Sequence, residues 1–135
     1  MSTEALQVIS IRSDLDIIAA RMAAREIARK LGFSAVDQAR IATATSELSR
    51  NILVHAEEGN VTIREIHAHN KRGIELIFED KGPGIANANG LAQDDTVAPG
   101  KSGFGLSGSR RLMDQMDIET TIGVGTRIIC QKWLR

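Results

Sequence analysis

In the run SELSRN, Glu47 and Asn51 stand four residues apart, which on a helix makes them neighbours on one face. An acid beside an amide suits hard-cation and water chemistry: the amide offers a neutral oxygen to a magnesium ion, and the carboxylate can accept a proton. The same pair also makes an ordinary half-exposed polar border to a helix. A second acid, Asp80, closes the run IFED and is followed at once by Gly82, Pro83 and Gly84. Ile74, Leu76, Phe78 and Asp80 fall two apart, so a strand sets them on one apolar face with the carboxylate at its rim. Glu75 and Glu79 take the other face, and Ile77 breaks the alternation. A buried carboxylate needs donors. The stretch Asp-Lys-Gly-Pro-Gly is also good turn chemistry, in which Asp80 caps its own loop.

A third cluster, APGKSGFGLSG, admits three phosphate-binding readings. Gly103, Gly105 and Gly108 spell G-x-G-x-x-G, but a dinucleotide fingerprint follows a strand directly, and here a loop with Pro99 and Gly100 comes first. Gly100, Lys101 and Ser102 suggest a P-loop, yet Asp95 stands where that motif needs its first glycine. The reading that survives is a lid that runs into a helix, with glycines letting the backbone close on an anion at the helix start.

These residues need elements to hold them. Ala5 to Ile11 alternates as a first strand. A helix follows from Ser13, its expected N-cap, to Gly32, its stop, with Ile17, Ala20, Ala24, Ile27 and Leu31 as its apolar stripe. On its other side, Arg21, Arg25 and Arg29 stand four apart beside Ile18 and Met22, a solvated basic face or a docking face. A second helix opens at Ser34 and runs to about Glu57, with Ile41, Ala44, Leu48, Ile52 and His55 on one face. Strands near Val61 to His67 and Gly73 to Asp80 are joined by the turn HNKRG. Lys81 to Ser102 has no sustained period and reads as a functional lid. A third helix, GLSGSRRLMDQM, begins near Gly105, and strands near Ile118 to Ile122 and Thr126 to Leu134 close the chain. This order predicts one α+β domain over residues 1–135: a two-layer sandwich whose mixed, mostly antiparallel sheet carries helices on one face.

The chain has 135 residues, 17 basic and 17 acidic, so its formal net charge is zero. That balance points away from nucleic acid and from an anionic membrane as main partner. The single cysteine, Cys130, precludes an internal disulfide. His67 and His69 would share a strand face but lack a third metal ligand, and solvated or structural roles suit all three histidines better. No long apolar run and no signal pattern stand in the sequence, so the expected location is the cytoplasm.

Taken in order, Glu-x-x-x-Asn on a helix, Asp-x-Gly-x-Gly after a strand, a loose lid, Gly-x-Gly at a helix start and Gly-Thr on a final strand resemble the nucleotide site of the Bergerat-fold family, which spans gyrase, Hsp90, histidine kinases and MutL. Within it, VDQARIATATSELSRNI, EDKGPGI, GFGLSGSRRLMD and the terminal KWLR look most like the small serine/threonine kinases of bacterial partner-switching pathways, the stressosome switch kinases in particular. Anti-sigma-factor kinases, which sequester a sigma factor, are the alternative. The resemblance implies ATP and Mg2+ as cofactors. It makes Asp80 the acceptor for the adenine amino group, with Gly82 and Gly84 keeping the purine pocket clear and Thr126 bonded to the same cluster. It implies that Asn51 holds magnesium, that Glu47 orients or deprotonates the attacking hydroxyl, that the Gly103–Gly105 backbone cradles phosphates at the third helix's N-terminus, and that Leu106 also belongs to the nucleotide site. Lys101 in the lid either reaches the phosphates or stays solvated. The implied partners are STAS-domain antagonist and scaffold proteins, as substrates, and a PP2C-type phosphatase activated by the released kinase.

Overall fold

A computed structural model describes residues 5–84 and 106–135. Its elements are β1 (Ala5–Ile11), α1 (Asp14–Leu31), α2 (Ala35–Ala56), β2 (Gly59–Ala68), β3 (Lys71–Asp80), α3 (Leu106–Leu112), β4 (Gln115–Thr121) and β5 (Gly125–Trp133). The ends of the two long helices follow from their flanking residues. Gly32 stops α1 in the left-handed region at φ 103°, its N–H turned onto the Ala28 and Arg29 carbonyls. Ser34 caps α2 by accepting from the Asp37 N–H at 3.2 Å. Ser13 departs from expectation: its side chain makes no cap bond. Instead Asp16 reaches back to the Arg12 N–H at 2.9 Å, and Ser13 serves through its carbonyl, which accepts from Asp16 and Ile17.

The sheet runs β1-β2-β3-β5-β4, and every pairing among the described strands is antiparallel. The predicted mixed character therefore narrows to a purely antiparallel sheet. The β2–β3 turn is tighter than HNKRG suggests. His69 and Asn70 alone form it, both at positive φ (52° and 66°), the left-handed pair that matches hairpin twist. Lys71 and Arg72 already pair with Ala68 and His67.

Helix α2 is the centre of the helical layer, touching α1, α3 and strands β1, β2 and β3. Ile41, Leu48 and Ile52 of α2 meet Val61, Ile63, Leu76, Phe78 and Ile128 in one buried cluster. Cys130 lies in that cluster too, and burial pushes its thiol up to about 12, so at neutral pH it is an uncharged packing group. Ile77, which broke the alternation of β3, is buried on the opposite face. It sits in the central strand, in register with Thr62 of β2 and Ile129 of β5.

The third helix is shorter than its sequence suggests. It ends at Leu112, and Met116 is a buried β4 residue opposite Cys130. The cause is tertiary. Asp114 donates its N–H to the Gln131 carbonyl at 2.9 Å and accepts the Trp133 N–H on its carboxylate at 2.8 Å, so the chain is drawn into the sheet. Lys132, buried in β5, donates to the Leu112 carbonyl at 2.8 Å and lies 3.8 Å from both Asp37 and Asp114. A cation at a helix C-terminus is favourable, and here it also joins α2, α3 and β5. Lys132→Met keeps the apolar stem but leaves that carbonyl without its donor, while Asp37 keeps Arg40 and Asp114 keeps Arg135. It is expected to cost on the order of 1.5 kcal/mol, read as a lower urea midpoint with an unchanged slope.

Candidate functional site

Helix α2 presents Glu47, Asn51 and His55 at successive four-residue steps, so the three lie along one ridge. Asn51 is 3% exposed, and its Oδ1 has no hydrogen-bond partner among the described residues. A buried amide oxygen left unsatisfied is costly, and a hard cation or an ordered water is the kind of neighbour that satisfies it. Glu47 is more open: its side chain is 43% exposed and lies 3.7 Å from Arg50.

Asp80 ends β3 with its side chain 3% exposed. Both readings of this residue hold together. Its Oδ1 accepts from the Gly82 N–H at 2.9 Å, so it does cap its own loop, and it stands at the end of the buried row Ile74, Leu76, Phe78. Its Oδ2 lies 3.4 Å from His55 Nε2. That approach is set by a short link. Only Glu57 and Glu58 separate α2 from β2, and Gly59, the first residue of β2, pairs with Asp80. The last turn of α2 is thereby brought against the end of β3.

Gly82 and Gly84 have packing reasons of their own. A Cβ on Gly82 would fall 2.6 Å from the Ala56 Cβ and 2.9 Å from the His55 carbonyl oxygen. Gly84 has φ 84°, and a Cβ there would lie 2.8 Å from the Thr121 carbonyl oxygen. The loop is thus wedged between α2 and the β4–β5 hairpin, which also holds it through the Gly123 N–H to the Pro83 carbonyl at 2.8 Å. Thr126, buried in β5, pairs directly with Asp80, and its hydroxyl lies 3.0 Å from that of Thr120. Leu106 begins α3 with its side chain in the main cluster, so only its backbone is available to a ligand. Lys101, Gly103 and Gly105 lie outside the described residues. Gly108 stands in open space within α3, where a Cβ would meet nothing within 4 Å. The close helix packing that a dinucleotide fingerprint asks of its third glycine is therefore missing.

The structure brings together Asn51, Asp80, Gly82, Gly84 and Thr126 around the last turns of α2 and the ends of β3 and β5. Sequence reasoning missed His55 and Thr120 as members of this group. His55 could have been found from its position four residues after Asn51, whereas Thr120 follows only from the β4–β5 register. His67 lies instead 3.2 Å from Glu65, and His69 is in the turn. A cavity of about 380 Å3 opens at the same end of the sheet, lined by Ser10, Arg12, Asn60, Glu79 and Lys81 and bounded by Glu58, Gly59 and Asp80. Ser10, Asn60 and Glu79 are in register across three strands. That places these three on the face away from the helices, with the cavity meeting the site at Asp80.

The model of the histidine kinase-like ATPase domain matches residues 11–132. The chain belongs to the histidine kinase-like ATPase family. It is 43% identical over 127 residues to the serine/threonine-protein kinase RsbT of Bacillus subtilis (strain 168), covering 94% of this chain and 96% of that relative. It is 31% identical over 121 residues to an anti-sigma F factor of Caldanaerobacter subterraneus subsp. tengcongensis, covering 85% and 83%. The nucleotide-free catalytic domain of histidine kinase ThkA superposes at TM-score 0.53, with 16% identity over 94% of this chain and 95% of that one, which speaks to the fold alone. This histidine kinase-like ATPase is an ATP-using enzyme, a protein serine/threonine kinase. No helix among its described residues is long and apolar enough to cross a membrane.

Proposed function

We propose that this histidine kinase-like ATPase is a cytoplasmic kinase that phosphorylates STAS-domain antagonist and scaffold proteins in a bacterial partner-switching stress pathway. When released from them, it binds and activates a PP2C-type phosphatase. The observation that carries the reading is the buried Asn51 Oδ1, without a hydrogen-bond partner among the described residues, one helical turn from Glu47 and one turn from the His55–Asp80 contact. The extent of likeness to RsbT supports it.

The residues fit the cofactors. Bound ATP would supply the phosphoryl group, and magnesium the charge that offsets its phosphates. Asn51 Oδ1 is the neutral oxygen that would ligate Mg2+. Asp80, an acceptor with one oxygen on the Gly82 N–H, would take the adenine amino group, with Thr126 beside it. Glu47, open to solvent, would orient the attacking hydroxyl and take its proton. Gly103, Gly105, the Leu106 backbone and Lys101 would face the phosphates. The test is transfer of label from ATP to recombinant STAS domains in the presence of magnesium. Absence of transfer to any STAS protein of the same cytoplasm would overturn the substrate assignment.

The likeness to an anti-sigma F factor supports a second reading, an anti-sigma kinase that sequesters a sigma factor. Co-purification of RNA polymerase sigma subunits with the chain, in place of a phosphatase, would select it.

Partner docking is assigned to the outer face of α1. Ile18 and Met22 are exposed there beside Arg21 and Arg25, which form no ion pair among the described residues. Arg29, the third arginine of the expected stripe, is taken by Glu26 at 3.1 Å, so the free basic face is smaller than its spacing suggests. Methionine and arginine are enriched at interface cores. Changing both Arg21 and Arg25 to Glu is expected to weaken binding of one partner by about tenfold or more, through reversed charge complementarity, with ATP affinity unchanged. Equal recovery of scaffold and phosphatase by wild type and double mutant would return this face to simple solvation.

A further inference from the structure

We propose that His55 is a positioning residue for Asp80, fixing the aim of its carboxylate so that the site separates an amino purine from an oxo purine. The proposal rests on the reading of Asp80 as the base-binding acceptor given above.

The geometry divides the Asp80 carboxylate between two holders. Gly82 donates its N–H to Oδ1 at 2.9 Å, and His55 Nε2 stands 3.4 Å from Oδ2. Both side chains are enclosed, His55 11% and Asp80 3% exposed. An ionised carboxylate offers only lone pairs, so the tautomer with its hydrogen on the facing nitrogen is the one that complements it. The opposite tautomer would set lone pair against lone pair. With Oδ1 bonded to the Gly82 N–H and Oδ2 facing the imidazole at 3.4 Å, turning of the carboxylate about the Cβ–Cγ bond is restricted.

The holder is itself held. The Gly82 backbone lies so close to the His55 carbonyl and to Ala56 that a Cβ would clash with both. The two-residue link to β2 and the Gly59–Asp80 pairing then fix the spacing between helix end and strand end. The contact of His55 is with Asp80, the base-binding acceptor, so the effect of His55 falls on base recognition.

Adenine presents an amino hydrogen to an acceptor. Hypoxanthine, otherwise the same ring, presents an oxo group at that position and an N–H beside it. A carboxylate with a fixed aim accepts the first and repels the second. A carboxylate free to turn can reach the neighbouring N–H, and discrimination falls. Sites built around a directed polar contact reject the wrong partner strongly because the mismatch leaves buried groups unpaired.

The experiment is calorimetric titration of the full chain with ADP and with IDP, for wild type, His55→Phe and His55→Gln, each checked for a cooperative thermal transition. Wild type is expected to prefer ADP. His55→Phe fills the volume without a donor. It is expected to raise the ADP dissociation constant roughly tenfold and to lower the ADP-over-IDP preference by a similar factor, the scale of one hydrogen bond to a charged group. His55→Gln, which keeps an N–H donor at similar reach, is expected to hold the preference within about threefold of wild type on the same scale. Unchanged preference in the Phe variant overturns the proposal, and so does equal loss in Phe and Gln, which would mark His55 as packing alone. Should the Phe variant fail to fold, His55→Asn replaces it: its shorter amide stops short of Asp80, and it must lose the preference that Gln keeps. Failure of wild type to bind either nucleotide would instead remove the reading of Asp80 itself, so the two failures are distinguished.

Discussion

Glu47→Ala is expected to leave folding and ATP binding intact and to lower phosphotransfer by roughly 10²–10⁴-fold, the usual range for a general base. The expectation of an intact fold follows from exposure. The Glu47 side chain is 43% exposed and its ion pair to Arg50 at 3.7 Å is a surface pair within a single helix, worth little. Asn51, one turn on, is different: it is buried, and removing it disturbs the interior. Single-turnover transfer to a STAS substrate, with ATP affinity measured in parallel, separates the two. A normal transfer rate in Glu47→Ala would remove this residue from the chemistry and leave Asn51 as the polar group of α2 that matters.

Asp80→Asn should cost about 1.5–3 kcal/mol of ATP affinity, the scale of a hydrogen bond to a charged acceptor. The loop itself is expected to survive, because an amide oxygen can still accept the Gly82 N–H that Asp80 accepts at 2.9 Å. The amide nitrogen then replaces the oxygen that lies 3.4 Å from His55 Nε2. It sets a donor towards the imidazole N–H and towards the adenine amino group alike. Calorimetric titration with ATP is the measurement, and wild-type affinity in the mutant would place the base elsewhere.

Much of this architecture was legible because its signals are local. Ser34 as a cap, Gly32 as a stop, the apolar ridge of α2 and the alternation of β3 each depend on residues within a turn or two of one another, and the structure keeps them. What was hidden depended on distant parts of the chain. The stretch MDQM carries on the helical pattern of GLSGSRRL, and only the capture of Asp114 by Gln131 and Trp133 turns it into β4. The Arg21–Arg25–Arg29 spacing reads as one stripe, yet Glu26 takes the last arginine. Within the site, Asp80 was visible from its place on the strand and Asn51 from its place on the helix. His55 looked like one more residue of an apolar face. Its meeting with Asp80 spans 25 positions of sequence and is created by the two-residue link and the pairing of Gly59, neither of which leaves a periodic trace.

Glu47, Asn51 and His55 share one helix, and this gives the enzyme a gauge. Eight residues at the helical rise span about 12 Å, so the distance between the His55 end and the Glu47 end is set by a single rod and not by the docking of separate parts. The rod is gripped along the buried row from Ile41 to Ile52, so its two ends move together if it shifts. Base grip and hydroxyl alignment are mechanically tied: a disturbance of α2 degrades both at once. Independent adjustment of the base grip is left to the loop at Gly82, which packs against His55 and Ala56 at one end of the helix.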